Sequence, residues 1–138
     1  MARKTWQQKF DDPKPSEVKI ASKDFADIKA GQKMLLTTPK DVDAYIRAIP
    51  KGQSLSIKEL RAELAKGAGA EIACPVVTGI HLRTVAEIVT MKLDTGVPAD
   101  ELTPVWRVIE PKAPVIKKLE YGATKLMELR KAEGLSFA

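Results

Sequence analysis

The chain has 138 residues, a formal net charge of +5 and a pI near 9.3, with 44% hydrophobic and 30% charged side chains. This is one domain's worth of chain, long enough to bury a core without metals or disulfides. The lone Cys74 excludes an internal disulfide and suits a cytoplasmic protein, the start MARKTWQQKF lacks the apolar core of a secretory signal, and the longest apolar run carries Arg83, Glu87 and Lys92, which excludes a membrane span.

Residues 1–33 interleave Arg3, Lys4, Lys9, Lys14 with Asp11, Asp12 and Glu17. They read as a charged N-terminal arm on a domain that occupies 34–138. Pro13 and Pro15 are expected to break any early helix, with Trp6 and Phe10 as anchors. The mixed charge favours a solvated leader over a segment that follows a phosphate backbone.

Met34 to Leu36 reads as a short strand. In TTPKDVDAYIRAIPKG, Thr38 caps a helix with Pro39 at its first position and Asp41 in its first turn. Val42, Tyr45, Ile46 and Ile49 supply its apolar face. Ser56 and Glu59 form a capping box that starts a second helix, with Ile57, Leu60 and Leu64 inward and Gly67 as its stop. The run from Cys74 to Leu93 predicts a long helix opening near Pro75. Its helical spacing sets Val76, Gly79, Arg83, Glu87 and Thr90 on one narrow polar stripe, expected to look out, while residues such as Ile80, Leu82, Val85 and Val89 are expected inside.

After the polar loop DTGVPADELTP, the segment PVWRVIE is rich in β-branched and aromatic residues and predicts a strand, with VIKKL pairing back on it as a wing. ATKLMELRKAEG predicts a closing helix with Leu126, Met127 and Leu129 inward and Gly134 just beyond its end. His81, the only histidine, has no cysteine or carboxylate cluster nearby in sequence and reads as a hydrogen-bonded side chain rather than a metal ligand. No metal or cofactor is expected.

Three blocks together resemble the DNA-binding domain of the alkylguanine-DNA alkyltransferases and the related alkyltransferase-like proteins. They are IPKGQSLSIKELRAELA (Ile49 to Ala65), TPVWRVIE (Thr103 to Glu110) and LMELRKAEG (Leu126 to Gly134). The resemblance runs from about Lys40 to Leu135. It implies a mainly α fold, a winged helix-turn-helix with a small β wing. That fold inserts its recognition helix into the minor groove of duplex DNA and flips a damaged base into a pocket.

Pro104, Arg107 and Val108 keep the family's frame, and Glu133 matches the glutamate that orients its histidine. Val105 stands where the alkyl-accepting cysteine belongs, and Trp106 replaces the neighbouring histidine. An acceptor must be a thiolate, so the methyltransferase reaction is not expected. Cys74 opens the recognition helix and reads as a small apolar residue, not a displaced nucleophile. On a strand Val105 and Trp106 point to opposite faces, which favours Trp106 as packing over base stacking.

By register Val76 occupies the position of the family's base-stack-propping arginine. Gly79 allows close backbone approach. Arg83 has two readings, a phosphate contact or an i, i+4 pair with Glu87. With Ser56 at the cap, the basic residues Lys51, Lys58, Lys117 and Lys118 complete the candidate DNA-contacting set. The expectation is a monomeric, non-enzymatic DNA-binding protein that recognises alkylated bases without repairing them. The alternative is a protein-interaction or structural module that kept the winged-helix fold and lost DNA binding.

Overall fold

In the computed structural model, residues 4–135 are described. About half of the chain is helical, in five α-helices: α1 (Trp6–Phe10), α2 (Pro39–Arg47), α3 (Ile57–Gly67), α4 (Pro75–Asp94) and α5 (Thr124–Ala132). Three short strands, β1 (Glu17–Ile20), β2 (Lys33–Leu36) and β3 (Ile72–Ala73), form one sheet in the order β1-β2-β3. β1 runs antiparallel to β2, with Val18 opposite Leu35, and β3 runs parallel to β2, with Ala73 also beside Leu35. The fold is therefore mainly α with a small sheet.

The helix starts follow local chemistry. The Thr38 hydroxyl accepts from the Asp41 N–H at 3.1 Å, and Pro39 opens α2. Ser56 and Glu59 exchange side-chain and backbone hydrogen bonds, each 3.0 Å, at the head of α3. Gly134, at φ +72°, turns the chain after α5 in a left-handed conformation that costs glycine nothing.

α4 is the central element. It packs on α1, α2 and α5 and on the turn that holds Val105. Every residue from Thr84 to Thr90 is buried. Its Leu82, Val85, Ala86 and Val89 meet Val42 and Ile46 of α2, Leu60 and Leu64 of α3, and Leu126 of α5 in one core. The expected polar stripe is corrected here. Val76 looks out as expected at 58% exposure, but Glu87 is 1% exposed and Thr90 is buried, whereas Ile80, expected inside, is 57% exposed. Thr90 fits inside because its hydroxyl donates to the Ala86 carbonyl at 3.0 Å. Glu87 fits because its carboxylate accepts from Arg83 at 3.2 Å and from the Glu120 N–H at 2.9 Å. A buried charge needs such partners, and helical spacing cannot foresee them.

Two expected strands are absent. Val105–Arg107 is a single 3-10 turn, with the Val108 and Ile109 N–H groups both donating to the Val105 carbonyl. Pro114–Lys118, which carries Lys117 and Lys118, is a second 3-10 turn and does not pair as a wing. Both segments are apolar because they are buried: Val105, Trp106, Val108, Ile109, Val115 and Leu119 all lie in the core. β propensity reports a half-buried surface rather than an intrinsic conformation, and neither segment has a strand to pair with.

The N-terminal stretch is more ordered than its prolines suggest. Thr5 and Gln8 form a capping box that starts α1, and the helix ends before Pro13. β1 then pairs with β2, so the boundary expected at residue 33 falls within a strand of the sheet. Phe10 packs against the core. Trp6 is half-buried, its indole N–H donating to Glu120 at 3.3 Å. A further tie is Asp27, whose carboxylate accepts from both Arg61 terminal nitrogens at 2.9 and 2.8 Å.

Candidate functional site

The turn Val105–Arg107 is held from four sides. The Leu55 N–H and the Ser54 hydroxyl donate to the Arg107 carbonyl at 3.0 and 2.8 Å. Arg107 in turn donates to the Ile49 carbonyl at 2.7 Å, joining the turn to the end of α2. Arg130, buried in α5, donates to the Trp106 carbonyl at 2.8 Å. Glu133, at the end of α5, completes the set.

The Glu133 carboxylate accepts four N–H groups. One oxygen takes the Gly52 N–H at 3.0 Å and Arg107 Nε at 2.9 Å; the other takes Trp106 Nε1 at 2.7 Å and Arg107 Nη2 at 3.0 Å. Gly52 can aim its N–H there because its φ is +83°. Burial alone would raise the Glu133 pKa, but the hydrogen bonds from Arg107, Gly52 and Trp106 outweigh it and hold the group at about 2. Glu133 is thus a permanent anion at neutral pH, and its role is structural and electrostatic.

This hub forms one wall of a cavity of about 430 Å³. Pro104, Trp106, Arg107 and Glu133, singled out in the sequence, all line it. Val105 does not: it is fully buried in the core beneath. Successive residues of a 3-10 turn diverge by about 120° rather than the 180° of a strand, so Val105 faces the core while Trp106 borders the cavity. Trp106 is only 3% exposed, so its ring is packed and its N–H committed to Glu133. Lys51, Asp100 and Arg47, the last paired with Asp43 at 2.8 Å, bring charges of both signs, with Leu102 and Leu129 as apolar wall. Arg47 and Leu102 escaped the sequence reading, which expects Leu129 only as an inward side chain of the closing helix. Leu102 comes from the 98–104 loop, whose course has no periodic signal.

Chemically the cavity offers hydrophobic surface, a buried indole and charged groups of both signs. Neither a thiol nor an imidazole lines it. Cys74 is buried at the start of α4, and His81 lies on a different surface, its Nδ1 3.2 Å from the Thr37 hydroxyl. Among the described residues, no group of three or more His, Cys, Asp or Glu side chains is placed to hold a metal ion.

The other candidate contacts divide into two groups. Lys51, Lys58, Val76, Gly79, Lys117 and Lys118 are exposed. Ser56 is half-buried and spends its hydroxyl on the α3 cap. Arg83 is committed to the protein. It pairs with Glu87, donates to the Lys118 carbonyl at 3.2 Å, and stacks its guanidinium 5.0 Å from the centre of the Trp6 ring. Lys9 covers the same ring at 4.2 Å.

Among the described residues, no helix is long and apolar enough to cross a membrane. No protein-family model, no curated protein and no solved structure matches the chain.

Proposed function

We propose that this chain is a DNA-binding protein of the alkyltransferase-like kind, a helix-turn-helix domain with the β1-β2-β3 sheet in place of the expected wing, that engages duplex DNA through its minor groove and senses alkylated bases without transferring the alkyl group. The observation that carries this reading is the Glu133 hub. Four positions singled out by the resemblance, Pro104, Trp106, Arg107 and Glu133, border one cavity although Glu133 lies 26 residues from Arg107. Lys51 at the rim supplies a phosphate contact beside the cavity. The exposed start of α4, with Val76 and Gly79, is the surface that enters the groove. The reaction of the family is excluded by chemistry: Val105 has no nucleophile, and Trp106 Nε1 is a donor only.

Fluorescence titration with duplex DNA, with and without one alkylguanine, tests the reading. Saturable binding at low salt, tighter for the modified duplex, is the expected outcome. A labelled alkyl group should stay on the DNA. Label on Cys74 would overturn the non-enzymatic reading, and no binding at low salt would overturn the DNA reading.

A second reading has its own support. Arg83 is tied down by Glu87 and Trp6, and Val76 and Ile80 present apolar surface on the exposed start of α4. A helix face of that kind suits a protein partner. Absence of duplex binding would favour this module over a DNA reader.

A further inference from the structure

A second cleft, of about 350 Å³, lies between the N-terminal stretch, the end of β2, the start of α2 and the first half of α4. Its volume is that of a small-molecule pocket, roughly 300–1,000 Å³. Its lining is sorted by chemistry. Leu36, Pro39, Val77 and Ile80 supply an apolar floor. Lys4, Lys9 and Lys14 line it from successive parts of the N-terminal stretch, Lys4 paired with Asp12 and Lys9 lying over the Trp6 ring, and Thr38 and Pro39 bring the amino end of the nine-residue α2.

His81 stands between these two regions. Its Nδ1 is engaged by the Thr37 hydroxyl, itself 3% exposed. Burial lowers its pKa, with Lys14 acting in the same direction and Asp41 opposing. The carboxylates of the cleft are largely occupied by exposed lysines: Asp12 sits 3.8 Å from Lys4, and Glu17 sits 3.6 Å from Lys19. Among the described residues Lys14 forms no ion pair, and it lines the same cleft as His81.

We infer that this cleft binds a small amphiphilic anion, an acidic head on a short apolar body, with the head between Lys14 and the start of α2 and the body on Ile80, Val77 and Leu36. A carboxylate or phosphate monoester head meets an ammonium and the positive end of a helix. The hydrocarbon covers side chains that are otherwise exposed on α4, Ile80 above all. This site is separate from the Glu133 cavity and stands whether or not the chain binds DNA.

Because His81 is the only histidine, its ring protons give one unambiguous NMR signal pair in the whole chain. The experiment titrates the full chain with octanoate, octyl phosphate and octanol, all below their micelle concentrations. Both acids should move the His81 signals saturably, with a Kd on the order of 1 mM for so few atoms. Octanol should bind about tenfold more weakly or not at all, because it lacks the charge-assisted contact. Lys14→Gln should weaken octanoate about fivefold, and Ile80→Glu should abolish the shift. Both residues are exposed, so neither change threatens the fold. Saturation by only one acid identifies the head group as carboxylate or phosphate and sustains the site. Equal shifts from octanol and the acids, or unchanged octanoate affinity in both variants, would overturn it, as would the absence of any saturable shift.

Discussion

The four donors around Glu133 come from two segments, the turn after α2 and the Val105–Arg107 turn, and meet on a carboxylate at the end of α5. A neutral side chain here would leave the Arg107 guanidinium, 13% exposed, without its counter-charge. Glu133→Gln is therefore expected to cost about 3 kcal/mol, read as a lower urea midpoint at neutral pH. The same group sets a pH dependence. Its ordinary value is 4.5 and its folded value about 2, so its stabilisation is full above pH 4.5 and is lost as pH falls toward 2. The linkage amounts to about 3 kcal/mol. In Glu133→Gln that part of the acid slope should vanish from urea midpoints measured between pH 5 and 2. Arg83 makes a second residue-scale case. Its loss strands the buried Glu87 with only the Glu120 N–H. Arg83→Ala should thus destabilise by about 3 kcal/mol, while the salt slope of duplex binding stays unchanged. A slope reduced by one contact with stability intact would restore Arg83 as a phosphate ligand.

At the scale of elements, α4 has two different halves. Its first two turns expose Val76, Gly79 and Ile80, and its middle is buried on all sides. Equal truncations should separate them. Leu82→Ala, at 1% exposure, is expected to cost about 2–5 kcal/mol, and Ile80→Ala at 57% exposure less than about 0.5 kcal/mol. Comparable losses in thermal unfolding would mean that the start of α4 is covered in solution. The α3 cap offers a calibrated change of its own. Ser56→Ala removes the acceptor for the Glu59 N–H and should cost about 1 kcal/mol. If it also leaves duplex affinity untouched, Ser56 acts as a cap and not as a DNA contact.

For the whole molecule, a net charge of +5 permits a polyanion as partner without demanding one. Under the DNA reading, log Kd against log salt should be linear, and Lys51→Ala should lower the slope by about one contact. An unchanged slope for Lys51→Ala would move the contact surface away from the cavity rim. The N-terminal stretch also belongs to this scale. β1, α1 and the Asp27–Arg61 pair tie it to the sheet, α4 and α3 respectively. The stretch therefore folds with the rest and forms one wall of the second cleft.

The amino-acid sequence by itself determined the helices whose ends carry local signals. Thr38 and Pro39, the Ser56–Glu59 box, Pro75 and Gly134 act within a few residues, and α2 to α5 form where they indicate. It also singled out Pro104, Trp106, Arg107 and Glu133, though without the four hydrogen bonds on Glu133 that bring them together. Tertiary structure decided what depends on partners distant in the chain. PVWRVIE and VIKKL are apolar enough for strands, yet each curls into a 3-10 turn because no strand edge reaches it. Glu87 and Thr90 fall on the polar stripe, yet both are buried because Arg83, the Glu120 N–H and the Ala86 carbonyl satisfy them. Ile80 is apolar, yet it stays exposed because no element packs on that part of α4. Periodicity records which side chains lie together on one helix; only the packed chain decides which of them meet a neighbour.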